Sequence, residues 1–214
     1  LALAACRAAG LDTNARELSM LARQGSGSAA RSIFGGLVEM HRGESASGED
    51  AYAEPLLGPA DWPLGVVVAI TDRNAKRVNS TAGMTGLAER SDYYDAWVAR
   101  APRDLADMRN AIAARDFETV GALTEMSCLK LHGLMLSTRP GLLYWNAATV
   151  AAMHAVRELR EAGTPVYFTI DAGPQVKAIC APEHTGEVAR VVANVPGVLD
   201  TRVSGLGPDA HLLD

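Results

Sequence analysis

Two hydrophobic rhythms alternate along the chain, one with apolar residues every third or fourth position and one with apolar residues every second position. The opening "LALAACRAAGL" is rich in Ala and Leu and runs to Gly10, as a short helix would. In "DTNARELSMLARQ", Leu18, Leu21 and Ala22 recur at helical spacing and Thr13 with Glu17 supplies a start signal, so a second helix leads into the run "ARQGSGSAARSIFGG". "GGLVEMHRG" and "AYAEPLL" read as strands on either side of the polar connection "ESASGED". In "GPADWPLGVVVAIT" two prolines precede an apolar strand at Leu64 to Thr71. The Pro59 to Pro63 region is therefore the expected boundary between a domain at 1–60 and a second at 61–214.

Beyond that boundary the helical rhythm dominates. "DYYDAWVARAPRDLADMRNAIAARD" and "FETVGALTEMSCLKLHGLMLS" read as long helices, with Pro102 expected to break the first. "NAATVAAMHAVRELREAG" is a further helix that closes on Gly163. The strand "TPVYFTI", the turn "DAGP" and the strand "QVKAIC" follow, then a helix at "GEVARVVANV" and a last strand at "LDTRVSG". Helices stacked on one side of an antiparallel sheet predict an α+β architecture.

The 214 residues are 48% apolar and 21% charged, with a formal net charge of −5, enough for a sizeable core in one or two domains. An acidic balance with few aromatics argues against a nucleic-acid binder. Cys6, Cys128 and Cys180 are far apart and form no CxxC pair, so neither a disulfide framework nor a zinc site is expected, and a reducing cytoplasm fits. No apolar run approaches the length of a membrane span, so no membrane partner is expected. The first residues resemble the lipidated-cysteine end of a signal peptide, but lack its positive segment and long apolar core. An Ala-rich helix entered midway is the better reading, so the chain is expected to lack its natural beginning.

Three segments carry candidate chemistry. In "GSGSAARS", Gly27 lets a ligand approach the backbone, Ser26 and Ser28 offer hydroxyls, and Arg31 would lie one turn into a helix beginning at Ser28, near anion-seeking N–H groups. The same letters suit a ligand-free turn at a helix start equally well, and no GxxxxGK[ST], GxGxxG or GxSxG motif is present. In "TIDAGPQVK", Asp171 closes an apolar strand at a tight turn that would project its carboxylate from the sheet edge, where it can act as a base or offset positive charge. A turn Asp bonded to its own backbone is the alternative, and Lys177 reads as a strand-face lysine within reach of a phosphate. "DRNAKRVNSTAGM" gathers Lys76, Arg77 and Ser80 before a helix, as a polyphosphate cradle or as solvated loop charges. His132 and His154 sit among apolar residues on helices, and no paired-His spacing supports a metal site.

Taken together and in order, "ELSMLARQGSGSAARSIFGGLVEMHRG", "KRVNSTAGM", "LHGLMLSTRPGLLYWN" and "YFTIDAGPQVKAIC" resemble the mevalonate diphosphate decarboxylase family of the GHMP kinase superfamily, over nearly the whole chain. The resemblance implies a GHMP-kinase-like two-domain α+β fold. Its N-terminal domain, of the ribosomal protein S5 domain 2-like type, would be incomplete here, and its C-terminal domain would be an antiparallel sheet covered by helices. It implies a cytoplasmic homodimeric enzyme of isoprenoid biosynthesis that takes mevalonate 5-diphosphate and ATP with Mg2+. ATP phosphorylates the 3-hydroxyl, phosphate departs, and carbon dioxide is lost to leave isopentenyl diphosphate. Carried over by motif, Asp171 is the catalytic aspartate and Arg31 contacts the substrate carboxylate. Ser26, Gly27 and Ser28 hold the substrate on its diphosphate side, and Ser80 with Lys76 lies at the ATP phosphates.

The chain departs from the family pattern at Gln175, where Asn is common, at Thr81, where many bacterial members have Arg, and before His132, where an Asn is missing. The family's earlier segment, with its nucleotide phosphate loop, is absent from these residues. A decarboxylase of mevalonate 5-phosphate, a 3-kinase and an inactive fragment that only binds substrate are the alternatives.

Overall fold

The computed structural model describes residues 1–75, 78 and 80–212. They form two compact units, one of Leu1–Pro63 with the chain from Leu206 onward and one of Leu64–Gly205.

The first unit begins with α1 (Ala2–Ala8) and α2 (Ala15–Gly25). The cap of α2 is Asn14 rather than Thr13: its side chain accepts from the Glu17 N–H at 2.9 Å while Glu17 bonds back to the Asn14 N–H at 2.9 Å. A reciprocal capping box needs the acidic residue three positions after the cap, and only Asn14 has Glu17 there. Cys6 of α1, Leu18 and Ala22 of α2 and Ile33 form a small apolar core. Two strands, β1 (Leu37–Met40) and β2 (Ala53–Leu57), pair antiparallel. Ser19 of α2 is fully buried and accepts from the Ala53 N–H at 3.1 Å, which ties the helix to β2. The returning tail lies along the segment before β1, with the Gly36 N–H on the Gly207 carbonyl at 3.1 Å and the Ala210 N–H on that of Ile33 at 3.0 Å.

The second unit is the α+β layer structure predicted. Its strands β3 (Gly65–Ile70), β4 (Val166–Thr169), β5 (Val176–Cys180) and β6 (Asp200–Gly205) form an antiparallel sheet in the order β4-β5-β3-β6. Between β3 and β4 run α3 (Ser80–Met84), α4 (Leu87–Arg90), α5 (Tyr94–Ala114), α6 (Phe117–Leu136) and α7 (Ala147–Glu161), and α8 (Thr185–Ala193) separates β5 from β6. One sheet face, including Val67, Phe168, Val176 and Ala178, meets Ala152 and Val156 of α7 and Val188 and Val192 of α8 in the main core. Alternation along β5 leaves Lys177 and Ile179 on the other, half-exposed face.

Pro102 does not break α5, which runs through it for 21 residues. The turn before it carries exposed Asp95, Ala96, Ala99 and Arg100, so a carbonyl deprived of its helical donor can be hydrated there. Arg100 also reaches across Pro102 to Asp104, Nε to Oδ1 at 2.9 Å, and Asp104 pairs with Lys130 of α6.

The outer edge of β4 is closed by side chains rather than by another strand. Glu125 of α6, buried, accepts from the Phe168 N–H at 3.1 Å and from Arg160 of α7 at 2.7 and 3.3 Å, while Arg160 donates to the Val166 carbonyl at 2.9 Å. Beside it, Gly121 of α6 lies so close to the Tyr167 ring that a Cβ would stand 2.0 Å from a ring carbon. Only a glycine admits that approach.

Candidate active site

Each unit carries candidate segments of its own. In the first unit α2 stops at Gly25, with Ser26 as its C-cap in extended conformation. No helix begins at Ser28, contrary to expectation. The N–H groups of Ala29 and Arg31 turn back onto the carbonyls of Ser26 and Ser28 at 3.0 and 3.3 Å, and only a three-residue 3-10 turn, Arg31–Ile33, forms before the Gly35-Gly36 pair. The remaining length is too short for an α-helix, so its anion-binding N-terminus is not available. What the segment does present is a row of exposed groups: Ser26, Gly27, Ser28 and Arg31. The two serine hydroxyls lie 3.2 Å apart, and a Cβ on Gly27 would meet nothing within 4 Å. Arg31 has no ion-pair partner among the described residues, which leaves its planar guanidinium available to a carboxylate or phosphate.

In the second unit the "DAGP" turn joins β4 to β5. Ile170 and Ala172 on either side of Asp171 are 2% and 5% exposed, whereas the Asp171 side chain is 85% exposed. Gly173 has φ +88°, which the turn demands and a Cβ would resist, since it would also press on Tyr144 at 3.2 Å. The turn is held from below by His132 of α6, whose Nε2–H donates to the Asp171 carbonyl at 2.8 Å. The imidazole is buried and lies 4.7 Å from the Trp145 ring, centroid to centroid. Burial pushes its pKa below the ordinary 6.5, against the opposing pull of the Asp171 and Ile170 carbonyls. The carboxylate itself is gripped by Lys177 of β5, Nζ to Oδ2 at 2.6 Å.

A second network fixes the start of β5. The Thr71 N–H donates to Gln175 Oε1 at 2.6 Å, and Gln175 Nε2 donates to the Asp72 carbonyl. Gln175 thereby extends the β3–β5 ladder one step past its last pair, Ala69 with Val176. Thr149 of α7 donates to the Pro174 carbonyl at 2.8 Å, and Asn146, the α7 cap, donates to the Thr71 carbonyl at 3.2 Å. A cavity of about 550 Å³ opens beside this network, lined by Asp72, Asn74, Val78, Tyr144, Asn146 and Pro174. The Asn74 N–H bonded to Asp72 holds that carboxyl below its usual range.

Ser80 opens the five-residue α3 and is exposed. Lys76, expected beside it, lies outside the described residues, as does Arg77. Among the described residues no cluster of three or more His, Cys, Asp or Glu side chains is arranged to hold a metal ion, and no described helix is long and apolar enough to cross a membrane. Sequence reading missed the Lys177–Asp171 pair and the His132 strut. The first was within reach, because a six-residue hairpin spacing returns β5 past the turn; the second joins residues 39 positions apart and left no local signal.

A depressed His132 pKa has a consequence for stability. Above pH 6.5 the imidazole is neutral folded or unfolded and costs nothing; below it the unfolded chain takes the proton first, so stability falls with acid until the folded imidazole also titrates. Replacing His132 with Asn is expected to flatten the dependence of the urea midpoint on pH below 6.5. An unchanged slope would contradict it.

Residues 66–204 match the family model described as mevalonate 5-diphosphate decarboxylase C-terminal domain, and residues 1–53 match the diphosphomevalonate decarboxylase-like N-terminal domain. The diphosphomevalonate decarboxylase of Schizosaccharomyces pombe is 36% identical over 162 residues, covering 74% of this chain and 41% of that protein. The phosphomevalonate decarboxylase of Haloferax volcanii is 33% identical over 214 residues, covering 100% of this chain and 64% of that protein. A solved structure described as MDDEF in complex with MVAPP, AMPPCP and magnesium superposes with a TM-score of 0.85 at 33% identity, covering 94% of this chain and 61% of that one. The chain spans about half the length of the curated relatives it matches. With a decarboxylase-domain match over most of its residues and the fold to go with it, the chain belongs to the mevalonate 5-diphosphate decarboxylase family.

Proposed function

We propose that the full-length protein decarboxylates mevalonate 5-diphosphate in an ATP-dependent reaction, releasing isopentenyl diphosphate, phosphate and carbon dioxide. The observation that carries this reading is the Asp171 carboxylate, exposed on a turn whose flanking residues are buried, in a chain of the decarboxylase family. Hydroxide leaves a tertiary carbon poorly, so the 3-hydroxyl must first become a phosphate. Asp171 takes the hydroxyl proton as the oxygen attacks the γ-phosphoryl group and ADP leaves with the electron pair of the broken P–O bond; the exposed carboxyl then passes the proton to solvent and is again a carboxylate. When the C–O bond breaks, its electron pair leaves with phosphate, and the fixed negative charge of Asp171 offsets the positive charge growing at the carbon. The bond to the carboxyl carbon then supplies the alkene electrons as carbon dioxide departs.

Arg31 holds the substrate carboxylate until that step, and Ser26, Gly27 and Ser28 bind the diphosphate end. Ser80 and Lys76 bind the ATP phosphates. Magnesium would arrive on the nucleotide phosphates, in keeping with the relative solved with AMPPCP and magnesium. Arg31→Gln is expected to raise KM for the substrate roughly 30-fold, equivalent to about 2 kcal/mol for a lost charge-assisted contact. Steady-state kinetics checks it, and an unchanged KM removes Arg31 from the substrate.

The Haloferax volcanii relative, aligned along the entire chain, supports mevalonate 5-phosphate as a second reading. Measuring kcat/KM for carbon dioxide release with each substrate separates the two. A preference for the diphosphate of at least about tenfold, or 1.4 kcal/mol, supports the first reading, and the reverse preference selects the second.

A further inference from the structure

We propose that Lys177 is a positioning residue that orients the Asp171 carboxylate for catalysis, an inference that rests on the decarboxylase reading. Lys177 stands in mid-strand on β5, between Thr169 of β4 and Val68 of β3, its cross-strand neighbours in the sheet. Its side chain is 31% exposed, against 85% for that of Asp171. The ammonium is thus the anchored partner and the carboxylate the mobile one. A bond of 2.6 Å is at the short end for a charge-assisted contact. Ion pairs this exposed contribute little to folding stability, so the consequence of the pair is geometric. With Oδ2 held by Lys177, Oδ1 is the oxygen left to accept the hydroxyl proton. The same residue is fixed at its main-chain carbonyl by His132, so the turn and the carboxylate are restrained independently.

The test uses the full-length protein and ATP-dependent carbon dioxide release, with Lys177→Met, Lys177→Arg, Asp171→Asn and the combination of Lys177→Met with Asp171→Asn. A misplaced catalytic group costs up to about 10²-fold, so Lys177→Met is expected to lower kcat between about tenfold and about 10²-fold. KM for both substrates and the thermal midpoint should stay put, and Lys177→Arg should restore most of kcat. In the Asp171→Asn background Lys177→Met should cause no further loss, because the lysine acts through that carboxylate. A raised KM with kcat intact would make Lys177 a substrate contact and overturn the proposal. So would an equal loss in the Asp171→Asn background, or no loss at all. A wild-type protein that releases no carbon dioxide overturns the decarboxylase reading and this inference with it, a failure visible before any variant is made.

Discussion

Asp171→Asn in the full-length protein is expected to lower kcat for carbon dioxide release by at least about 10²-fold while leaving KM for the phosphorylated substrate within a factor of about two. The asymmetry follows from what the residue is assigned to do. Asn keeps the volume of the side chain, and the turn is shaped by Gly173, Ile170, Ala172 and the His132 bond to the main chain, none of which needs the carboxylate. What is lost is a proton acceptor at the 3-hydroxyl and a negative charge beside the carbon that becomes positive, both of which matter in the transition state more than in the bound ground state. Steady-state kinetics with urea denaturation of the same variant checks both halves. Near-normal turnover would remove Asp171 from the chemistry, and a large rise in KM would make it a binding residue.

Glu125→Ala should be the most destabilising of the substitutions considered, by about 3 kcal/mol, at the low end for breaking a buried pair because Arg160 keeps some access to water. The carboxylate serves three partners at once: Arg160, the Phe168 N–H and, at 3.8 Å, Arg157. Without it, Arg160 loses its counter-charge and the buried Phe168 N–H at the sheet edge loses its acceptor. Glu125→Gln keeps an oxygen for the Phe168 N–H and should cost less. Urea unfolding with an unchanged m-value checks the ranking. A loss under about 1 kcal/mol for Glu125→Ala would show that water replaces the carboxylate at the edge of β4.

The order of helices and strands in the second unit was legible because its amphipathic rhythm agrees with its turn residues. A continuous apolar run behind two prolines marks β3, the apolar segment after the "DAGP" turn marks β5, and the Asn146 cap and Gly163 bound the helix α7. Where prediction failed, a non-local or competing term decided. Pro102 is tolerated because the exposed turn before it can be hydrated and Arg100 bridges to Asp104 across it. The glycine-serine run reads as a helix start, but Gly35 and Gly36 leave room only for a 3-10 turn. The Asn14 cap was readable from the three-residue spacing to Glu17, a stricter rule than proximity alone.

The candidate site was legible in part for the same reason. Asp171 stands out because a carboxylate between an apolar strand and a glycine-proline turn has few places to go but outward. Its supports do not stand out. His132 reads as an ordinary core histidine on α6, and only the packing of α6 against β4 brings its Nε2 under the turn. Gln175 looks like a departure from the family's Asn, yet its longer amide spans the gap between Thr71 and Asp72 at the end of the sheet ladder.

Decarboxylation itself is measured by incubating the full-length protein with ATP, magnesium and mevalonate 5-diphosphate carrying a labelled carboxyl carbon, and counting carbon dioxide against ADP. Equal yields of labelled carbon dioxide and ADP are expected, both abolished without ATP. ADP formed without carbon dioxide would contradict it and would make the protein a kinase of the 3-hydroxyl.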